Sequence, residues 1–235
     1  MTVRAVRAGL LLALLFPACA WAAAEASPGE TLYGEHCASC HGFAGRGTSS
    51  RGPSLRGAGA SAADFYLTTG RMPISHPTDV PTRSRPAYSA AEIDRIVAYV
   101  ASLGGPAIPV PHPEQGDLAE GMHVFTAQCA GCHQITGRGG ILPTTGSPAL
   151  LSATPTQIAE AVRLGPYLMP RFAARQLSDH ELDSVIRYVQ SVRSPSNAGG
   201  LGIGNTGPVP EGAVGWLVGA LSLAVIARGL GKGRP

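Results

Sequence analysis

Two segments of the chain carry apolar residues at the spacing of one helical face. The first set is Ile93, Ile96, Val97 and Val100, and the second is Leu182, Val185, Ile186 and Val189. Spacing of i, i+3, i+4 and i+7 places each set along one side of an α-helix. Ser89 stands three residues before Glu92, and Ser178 three residues before Glu181, which is the pattern of a capping box. The sequence therefore predicts two amphipathic helices of the same design.

A shorter helix is predicted ahead of each of these. Residues 62–69 follow Ser61, and residues 155–164 follow Thr154, with Pro155 suited to the first helical position. A half-buried strand would show alternating apolar and polar residues, and the sequence contains no long segment of this kind. The predicted fold class is therefore mainly α.

Long apolar runs lie at both ends of the chain. Residues 8–24 are uncharged and follow Arg4 and Arg7, and the run ends in small residues, as a secretory signal does. The run is also just long enough to be an uncleaved N-terminal anchor. We therefore interpret residues 1–24 as a signal peptide or an N-terminal anchor, and both remain open.

A second apolar run, residues 212–230, predicts a transmembrane helix. Its uncharged part, residues 212–227, falls slightly short of a bilayer core, and the continuation makes up the difference. A buried core helix is disfavoured because a Gly- and Pro-rich linker, residues 197–211, comes first. By the positive-inside rule, the basic tail, residues 231–235, is expected to be cytoplasmic. Residues 25–210 would then be extracytoplasmic.

Composition and charge add one exclusion to this picture. The formal net charge is +3, but residues 25–211 hold 13 Arg, no Lys and 15 acidic residues, a net charge of −2. The excess positive charge therefore lies at the two ends of the chain. Because the sequence lacks the basic patch that nucleic-acid binding requires, nucleic acid is excluded as a partner.

Four of the five cysteines form two motifs of the same kind. The motifs are Cys37-Ala-Ser-Cys40-His41 and Cys129-Ala-Gly-Cys132-His133. Two thiols one helical turn apart can form thioether bonds with the vinyl groups of one haem, and the adjacent histidine can bind its iron. A thioredoxin-like pair, a zinc site or a disulfide could explain one motif, but two copies in an exported chain disfavour them. We therefore predict two covalently bound haem c groups.

The two motifs belong to an internal repeat. The pattern Gly-x-x-x-aromatic-x-x-x-Cys begins at Gly29 and again at Gly121, and Gly-Arg-Gly follows each motif. Each unit has the size of a small domain that a bound cofactor can stabilise. The predicted architecture is two tandem class I cytochrome c-like helical domains, residues 25–105 and 106–196, followed by the transmembrane helix.

Each iron also needs a second axial ligand, and Met is the usual partner of His in cytochromes c. Met72 and Met169 stand in matching places, each before a proline and between two predicted helices. We predict that Met72 pairs with His41 in the first unit and that Met169 pairs with His133 in the second.

Three other side chains compete for this assignment. Met122 is expected to pack in the core, because it lies on the predicted N-terminal helix of the second unit. His76 and His112 have no counterpart in the other unit, so they are expected to be loop histidines. Pro53 and Pro148 are expected to shape loops whose carbonyls orient the two imidazoles, although a plain turn explains them equally well.

Four further motifs carry a resemblance to a known family. They are Gly52-Pro53-Ser54-Leu55, Thr69-Gly70-Arg71-Met72-Pro73, Gly165-Pro166-Tyr167-Leu168-Met169-Pro170 and Gly207-Pro208-Val209-Pro210-Glu211-Gly212. Together they look like the dihaem cytochrome c subunit of the actinobacterial cytochrome bc complex, a menaquinol:cytochrome c oxidoreductase. The resemblance covers residues 33–228, and a shorter, more signal-like N-terminus departs from it.

This resemblance implies a plasma-membrane subunit beside cytochrome b and a Rieske iron–sulfur protein. Electrons would pass from the Rieske cluster through this chain to cytochrome c oxidase, with a supercomplex as one arrangement. The chain alone would be an electron carrier within a quinol–cytochrome-c reductase. Two alternatives stay open, namely a dihaem enzyme (a peroxidase or a sulfur-compound dehydrogenase) and a free-standing membrane-anchored carrier. A Met for each iron argues against a catalytic haem, which needs an open coordination position.

Overall fold

The computed structural model describes residues 26–141, 146–194 and 208–231. The helices in these ranges are α1 Pro28–His36, α2 Ala38–His41, α3 Gly59–Thr68, α4 Ala90–Ser102, α5 Leu118–Gln128, α6 Ala130–His133, α7 Pro155–Leu164, α8 Asp179–Arg193 and α9 Pro208–Gly231. Strands β1 Gly140–Ile141 and β2 Gly146–Ser147 form a short antiparallel hairpin. The mainly α fold class is therefore confirmed.

Three of the predicted segments fall largely outside these ranges. The N-terminal segment 1–24 and residues 232–235 of the tail are not among the described residues. The linker 197–211 also lies outside them, except for its last four residues, which form the start of α9.

The first unit is built on a close crossing of α1 and α4. Gly29 lies where the two helix backbones meet, and a Cβ there would collide with the backbone oxygen of Arg95. One turn further along α1, the buried ring of Tyr33 contacts Tyr99, with 4.9 Å between ring centroids. The Tyr33 hydroxyl donates a hydrogen bond to the backbone oxygen of Gly42 over 2.9 Å. The repeated glycine and aromatic residue are therefore the two contacts that hold this crossing together.

The second unit repeats the crossing with α5 and α8. A Cβ at Gly121 would collide with the backbone oxygen of Ser184. Phe125 takes the place of the tyrosine, and its ring lies 5.2 Å from that of Tyr188. Here the hydroxyl comes from the C-terminal helix, since Tyr188 donates to the backbone oxygen of Ile135 over 2.8 Å. In both units a tyrosine at the helix crossing therefore binds the segment that follows the Cys-x-x-Cys-His motif. The tyrosine lies on the N-terminal helix in the first unit and on the C-terminal helix in the second.

Both long helices begin where the capping boxes predict. The hydroxyls of Ser89 and Ser178 accept the backbone N–H of Glu92 and Glu181 at 3.4 and 3.2 Å. The two glutamate carboxylates accept the serine N–H in return, at 2.8 and 2.7 Å. The apolar faces predicted for both helices are buried. They form the cores of the first and second units.

The two middle helices differ in how well the sequence predicts them. Helix α7 spans Pro155–Leu164 as predicted, with a capping box from Thr154. Helix α3 begins earlier than predicted, at Gly59, and Ser61 is buried within the helix rather than capping it. The reason is tertiary, because the Ser61 N–H donates to the backbone oxygen of Pro106 over 3.2 Å.

The two units touch along α3 and α7. The Gln157 side-chain amide donates to the Thr68 hydroxyl over 3.3 Å. Arg83 of the first unit donates to the Gln157 side-chain oxygen and the Ser152 backbone oxygen, over 3.2 and 3.4 Å. Glu160 on α7 is fully buried in this region, facing Asp64 on α3. The contact is therefore polar, and it places the middle helix of each unit against that of the other.

Helix α9 stands apart from the cores of both units. Residues Gly212–Gly231 are long and apolar enough to cross a membrane, and their most apolar stretch is 0% buried. Twenty residues of α-helix span about 30 Å, the thickness of a bilayer core. The predicted C-terminal apolar helix is therefore present. It begins earlier, at Pro208, and its membrane-length stretch ends at Gly231, one residue beyond the predicted range 212–230.

Candidate haem sites

Each Cys-x-x-Cys-His motif is formed at a kink between two helices. Cys37 ends α1 and caps α2, with φ −116° and ψ −33°. Cys129 does the same between α5 and α6, with φ −119° and ψ −35°. One turn later, the His41 and His133 N–H groups each donate to the oxygen of the first cysteine over 2.9 Å. The same backbone geometry therefore presents two thiols and an imidazole in both units.

Backbone carbonyls orient the two imidazoles. His41 Nδ1 lies 2.9 Å from the Pro53 oxygen, and His133 Nδ1 lies 3.0 Å from the Pro148 oxygen. Because a carbonyl can only accept, Nδ1 carries the hydrogen in each ring and leaves the Nε2 lone pair free for a metal. Burial lowers the pKa of His133, which favours the neutral imidazole that a metal requires. The expected part played by Pro53 and Pro148 is present in the structure.

The Gly-Arg-Gly segments bring these carbonyls into position. The Gly47 N–H donates to the His41 oxygen over 2.7 Å, and the Gly139 N–H to the His133 oxygen over 3.0 Å. Both glycines have positive φ, +79° and +83°. A Cβ at Gly47 would lie 2.6 Å from the Ser54 nitrogen, so a side chain would force the proline loop off the histidine.

The second unit brings all four of its predicted residues to one apolar cleft. Cys129, Cys132, His133 and Met169 line it. The other lining side chains are mostly aliphatic or aromatic and include Leu150, Ile158, Val162, Phe172, Val185 and Val189. An apolar wall with two thiols, an imidazole and a thioether fits a covalently attached porphyrin and its iron.

Met169 is held at the cleft by a turn that follows α7. Gly165 ends this helix in the left-handed conformation, with φ +65° and ψ +63°. The Met169 N–H then donates to the Pro166 oxygen over 3.0 Å, and the Phe172 N–H returns to the Val162 oxygen over 2.9 Å. The Met169 side chain packs against the core of the second unit.

In the first unit, the candidate methionine ligand also follows the middle helix. Met72 follows α3 directly, and its N–H donates to the Tyr66 oxygen over 3.1 Å. Both Met72 and Cys37 pack against the core of this unit. Cys40 and His41 are both partly exposed, whereas in the second unit Cys132 is exposed and His133 is buried.

The surroundings of the thiols are not those of a preformed metal–thiolate site. Burial raises the pKa of Cys37 and of Cys129 to about 11, with the second thiol of each motif contributing, so both stay protonated at neutral pH. Among the described residues, three or more His, Cys, Asp or Glu side chains never converge in a way that could hold a metal ion. The geometry therefore fits thioether attachment better than zinc binding.

The three competing side chains are exposed to solvent. The expectation that Met122 packs in the core is wrong, because 51% of its side chain is exposed on the outer face of α5. His76 is an exposed loop histidine whose Nδ1 lies 2.7 Å from the Thr78 hydroxyl. His112 is likewise exposed and pairs with Glu114 over 3.3 Å.

Sequence reasoning missed the contribution of the first unit to the second cleft. Arg71, Val80, Pro81 and Arg83 of the first unit line the cleft that holds His133. The one available signal was that Arg71 directly precedes a predicted ligand. Burial lowers the pKa of Arg71, and the nearby positive charge of Arg83 lowers it further.

The helical fold and the repeated motif define a c-type cytochrome with two domains. The family model described as Cytochrome c matches residues 26–104. The model described as Cytochrome C oxidase, cbb3-type, subunit III matches residues 116–189.

Curated relatives identify the family within this class. The chain is 36% identical over 240 residues to the cytochrome bc1 complex cytochrome c subunit of Mycobacterium tuberculosis, covering 95% of this chain and 86% of that one. The subunit of the same name from Corynebacterium diphtheriae is 35% identical, with 87% and 79% covered. A cbb3-type cytochrome c oxidase subunit CcoP from an Azospirillum species is 29% identical, with 70% and 61% covered. The chain belongs to the family of cytochrome bc1 complex cytochrome c subunits, as the sequence motifs predict.

Proposed function

We propose that this chain is the dihaem electron-transfer subunit of a respiratory menaquinol:cytochrome c reductase. The observation that carries the proposal is the repeated arrangement of two cysteines, an imidazole fixed by a proline-loop carbonyl, and a methionine packed against the core. Two such sets fit two haem groups of the same ligation. The relatives named above are subunits of a cytochrome bc1 complex, which supports the same setting.

Each residue set has one task in this proposal. Cys37 and Cys40 would hold one haem by thioether bonds, and His41 and Met72 would bind its iron. The equivalent residues of the second unit are Cys129, Cys132, His133 and Met169. The haem iron, when bound, supplies a one-electron couple between its ferric and ferrous states. The chain would supply a histidine and a methionine to each iron, and a stable ligand pair in apolar surroundings favours electron transfer without a change of ligands.

The partners follow from the same family. We propose cytochrome b and a Rieske iron–sulfur protein as neighbours, with electrons entering from the Rieske cluster and leaving towards cytochrome c oxidase. A supercomplex with the oxidase is the arrangement in which no separate carrier is needed. Helix α9 would anchor the subunit in the plasma membrane, with the haem domains, residues 25–105 and 106–196, extracytoplasmic and the C-terminus cytoplasmic.

A catalytic haem, as in a peroxidase or a sulfur-compound dehydrogenase, is the competing function. It needs an iron with an open or displaceable position. Each unit instead packs a methionine against its core, and each of these methionines follows the middle helix of its unit. The structure therefore favours the electron carrier.

Purification in mild detergent tests the proposal directly. The intact chain should co-purify with cytochrome b and a Rieske protein, carry two haems that resist acid–acetone extraction, and be reduced by a menaquinol analogue. A haem count of one per chain, or haem that is extracted, would overturn the dihaem assignment. Two covalent haems without cytochrome b would favour the free-standing carrier.

A further inference from the structure

Two arginines of the first unit line the cleft of the second. Arg71 stands directly before Met72 in the chain, yet its side chain reaches the cleft that Cys132 and His133 line. Arg83, on the loop between α3 and α4, lines the same cleft. Both arginines are therefore part of the first domain in the sequence, but they lie at the candidate haem site of the second domain.

Arg71 has an unsatisfied donor at this position. Its Nη1 atom is shielded from solvent and has no hydrogen-bond partner. The guanidinium carbon lies 4.9 Å from the centre of the Phe65 ring, and this cation–π contact supplies no hydrogen-bond acceptor for Nη1. Burying a charged donor without an acceptor is costly, so a bound anion beside this guanidinium would compensate for part of that cost.

In the part of the chain that the structure describes, neither arginine has a carboxylate partner. The oxygens to which Arg83 donates there, those of Ser152 and Gln157, are neutral. Within the described part of the chain, the ion pairs involve neither Arg71 nor Arg83. Two positive charges share one apolar cleft, and each disfavours the other unless a negative group lies between them.

The haem proposed for this cleft carries the missing acceptors. Its two propionates are carboxylates, and a guanidinium binds a carboxylate through two parallel hydrogen bonds. We propose that Arg71 and Arg83 bind a propionate of the haem attached at Cys129 and Cys132, so that the first domain neutralises charge on the second haem. This inference rests on the proposed haem attachment in the second unit.

The pairing has a direct consequence for the second haem. A positive charge beside a propionate favours the ferrous state, because reduction adds an electron to the site. It also keeps the propionate ionised. Loss of either arginine should therefore lower the reduction potential of this haem and make the potential depend on pH near neutrality.

The test is potentiometry of the intact chain in detergent, with Arg71→Gln and Arg83→Gln. Met169→His identifies which of the two reduction potentials belongs to the second haem, because only that potential should change in this variant. We expect each variant to shift that haem about tenfold towards the ferric form at a fixed potential, equal to about 59 mV for one electron. Arg71→Lys, which keeps the charge, should shift it less. Arg85→Gln is the matched control, since it removes a charge from the same loop outside the cleft.

Several results would overturn the proposal. One is a shift confined to the first haem, which would assign the arginines to the propionates beside Met72. Another is a shift no larger than that of Arg85→Gln. Unchanged potentials with weaker binding to cytochrome b or the oxidase would assign the arginines to an acidic partner. A wild-type chain without a second covalent haem would instead refute the proposed function on which this inference rests.

Discussion

At the scale of single residues, main-chain atoms do much of the positioning. The imidazoles of His41 and His133 are fixed by carbonyl oxygens, which any residue at those places could offer. What the sequence must supply is the shape of the loop, through Gly47 and Gly139. This is why the motifs and methionines are readable from sequence, whereas the contact of Arg71 with the second cleft is not.

Replacing either predicted methionine ligand should affect one haem only. Met169→His should remove about half of the weak near-infrared band that a methionine–ferric haem pair gives, and should lower the potential of that haem. Met72→His should do the same for the other haem. Absorption spectra of the oxidised chain and potentiometry measure both effects.

A control exists on the same chain, because the exposed Met122 can be changed to His without touching either site. This variant should keep the full band. If each iron has a histidine and a methionine ligand, as proposed, reduced wild-type protein should also bind carbon monoxide poorly. Fast binding at one haem would contradict Met ligation there and favour a catalytic haem.

Glu160 makes the stability of the chain depend on pH. Burial raises its pKa to about 9, the nearby Asp64 carboxyl contributes, and neither carboxyl oxygen has a hydrogen-bond partner of normal geometry. The folded state therefore holds a proton that the unfolded chain releases near pH 4.5. Stability due to this group is complete below that pH and is lost as pH rises towards about 9.

Glu160→Gln should remove this loss. We expect the variant to be more stable than wild type at pH 8, by roughly 1–3 kcal/mol, and similar to wild type at pH 5. Urea unfolding followed by circular dichroism at both pH values measures the difference. Glu114→Gln removes only an exposed pair with His112, so it should change the value at pH 8 by less than about 0.5 kcal/mol. Equal effects of Glu160→Gln at both pH values would show that Glu160 is ionised in the folded chain.

At the scale of elements, some helix boundaries are set by local sequence signals and others by tertiary contacts. The capping boxes at Ser89 and Ser178 act within one turn, so the starts of α4 and α8 are predictable from sequence. The start of α3 is not, because it depends on a hydrogen bond from Ser61 to Pro106, across the first unit. The close contact at Gly29 likewise cannot be predicted from sequence, because it depends on the position of α4.

Two glycines of α1 separate these effects. Gly29→Ala should destabilise the first unit by about 1–3 kcal/mol, because its methyl would collide with the α4 backbone at Arg95. Gly34→Ala, with no atom in the way, should stabilise the chain by about 0.5–1 kcal/mol through helix propensity. Thermal unfolding monitored at the haem absorption band compares the two. Equal effects would mean that α1 and α4 do not cross at Gly29.

At the scale of the whole molecule, two similar units become unequal where they meet. The cleft of the second unit takes part of its wall from the loop between α3 and α4. A repeat in the sequence predicts two equivalent domains, but it carries no information on which faces touch. Hydrogen bonds from Arg83 to Ser152 and from Gln157 to Thr68 join residues far apart in the chain, so they arise only once both units have folded.

The last prediction concerns how the molecule is held at the membrane. The described side chains of α9 are exposed, and the helix packs against neither core, so ending the chain after residue 207 should leave both haem domains folded. If α9 is the anchor, this shortened chain with a cleavable signal in place of residues 1–24 should appear in the soluble extracytoplasmic fraction with two haems.

The same shortened chain with its own N-terminus distinguishes the two interpretations of residues 1–24. Release would indicate a cleaved signal, and retention would indicate a second anchor. A shortened chain that stays on the membrane even with the cleavable signal would contradict the anchoring by α9, because its haem domains would then bind the membrane or a membrane partner by themselves.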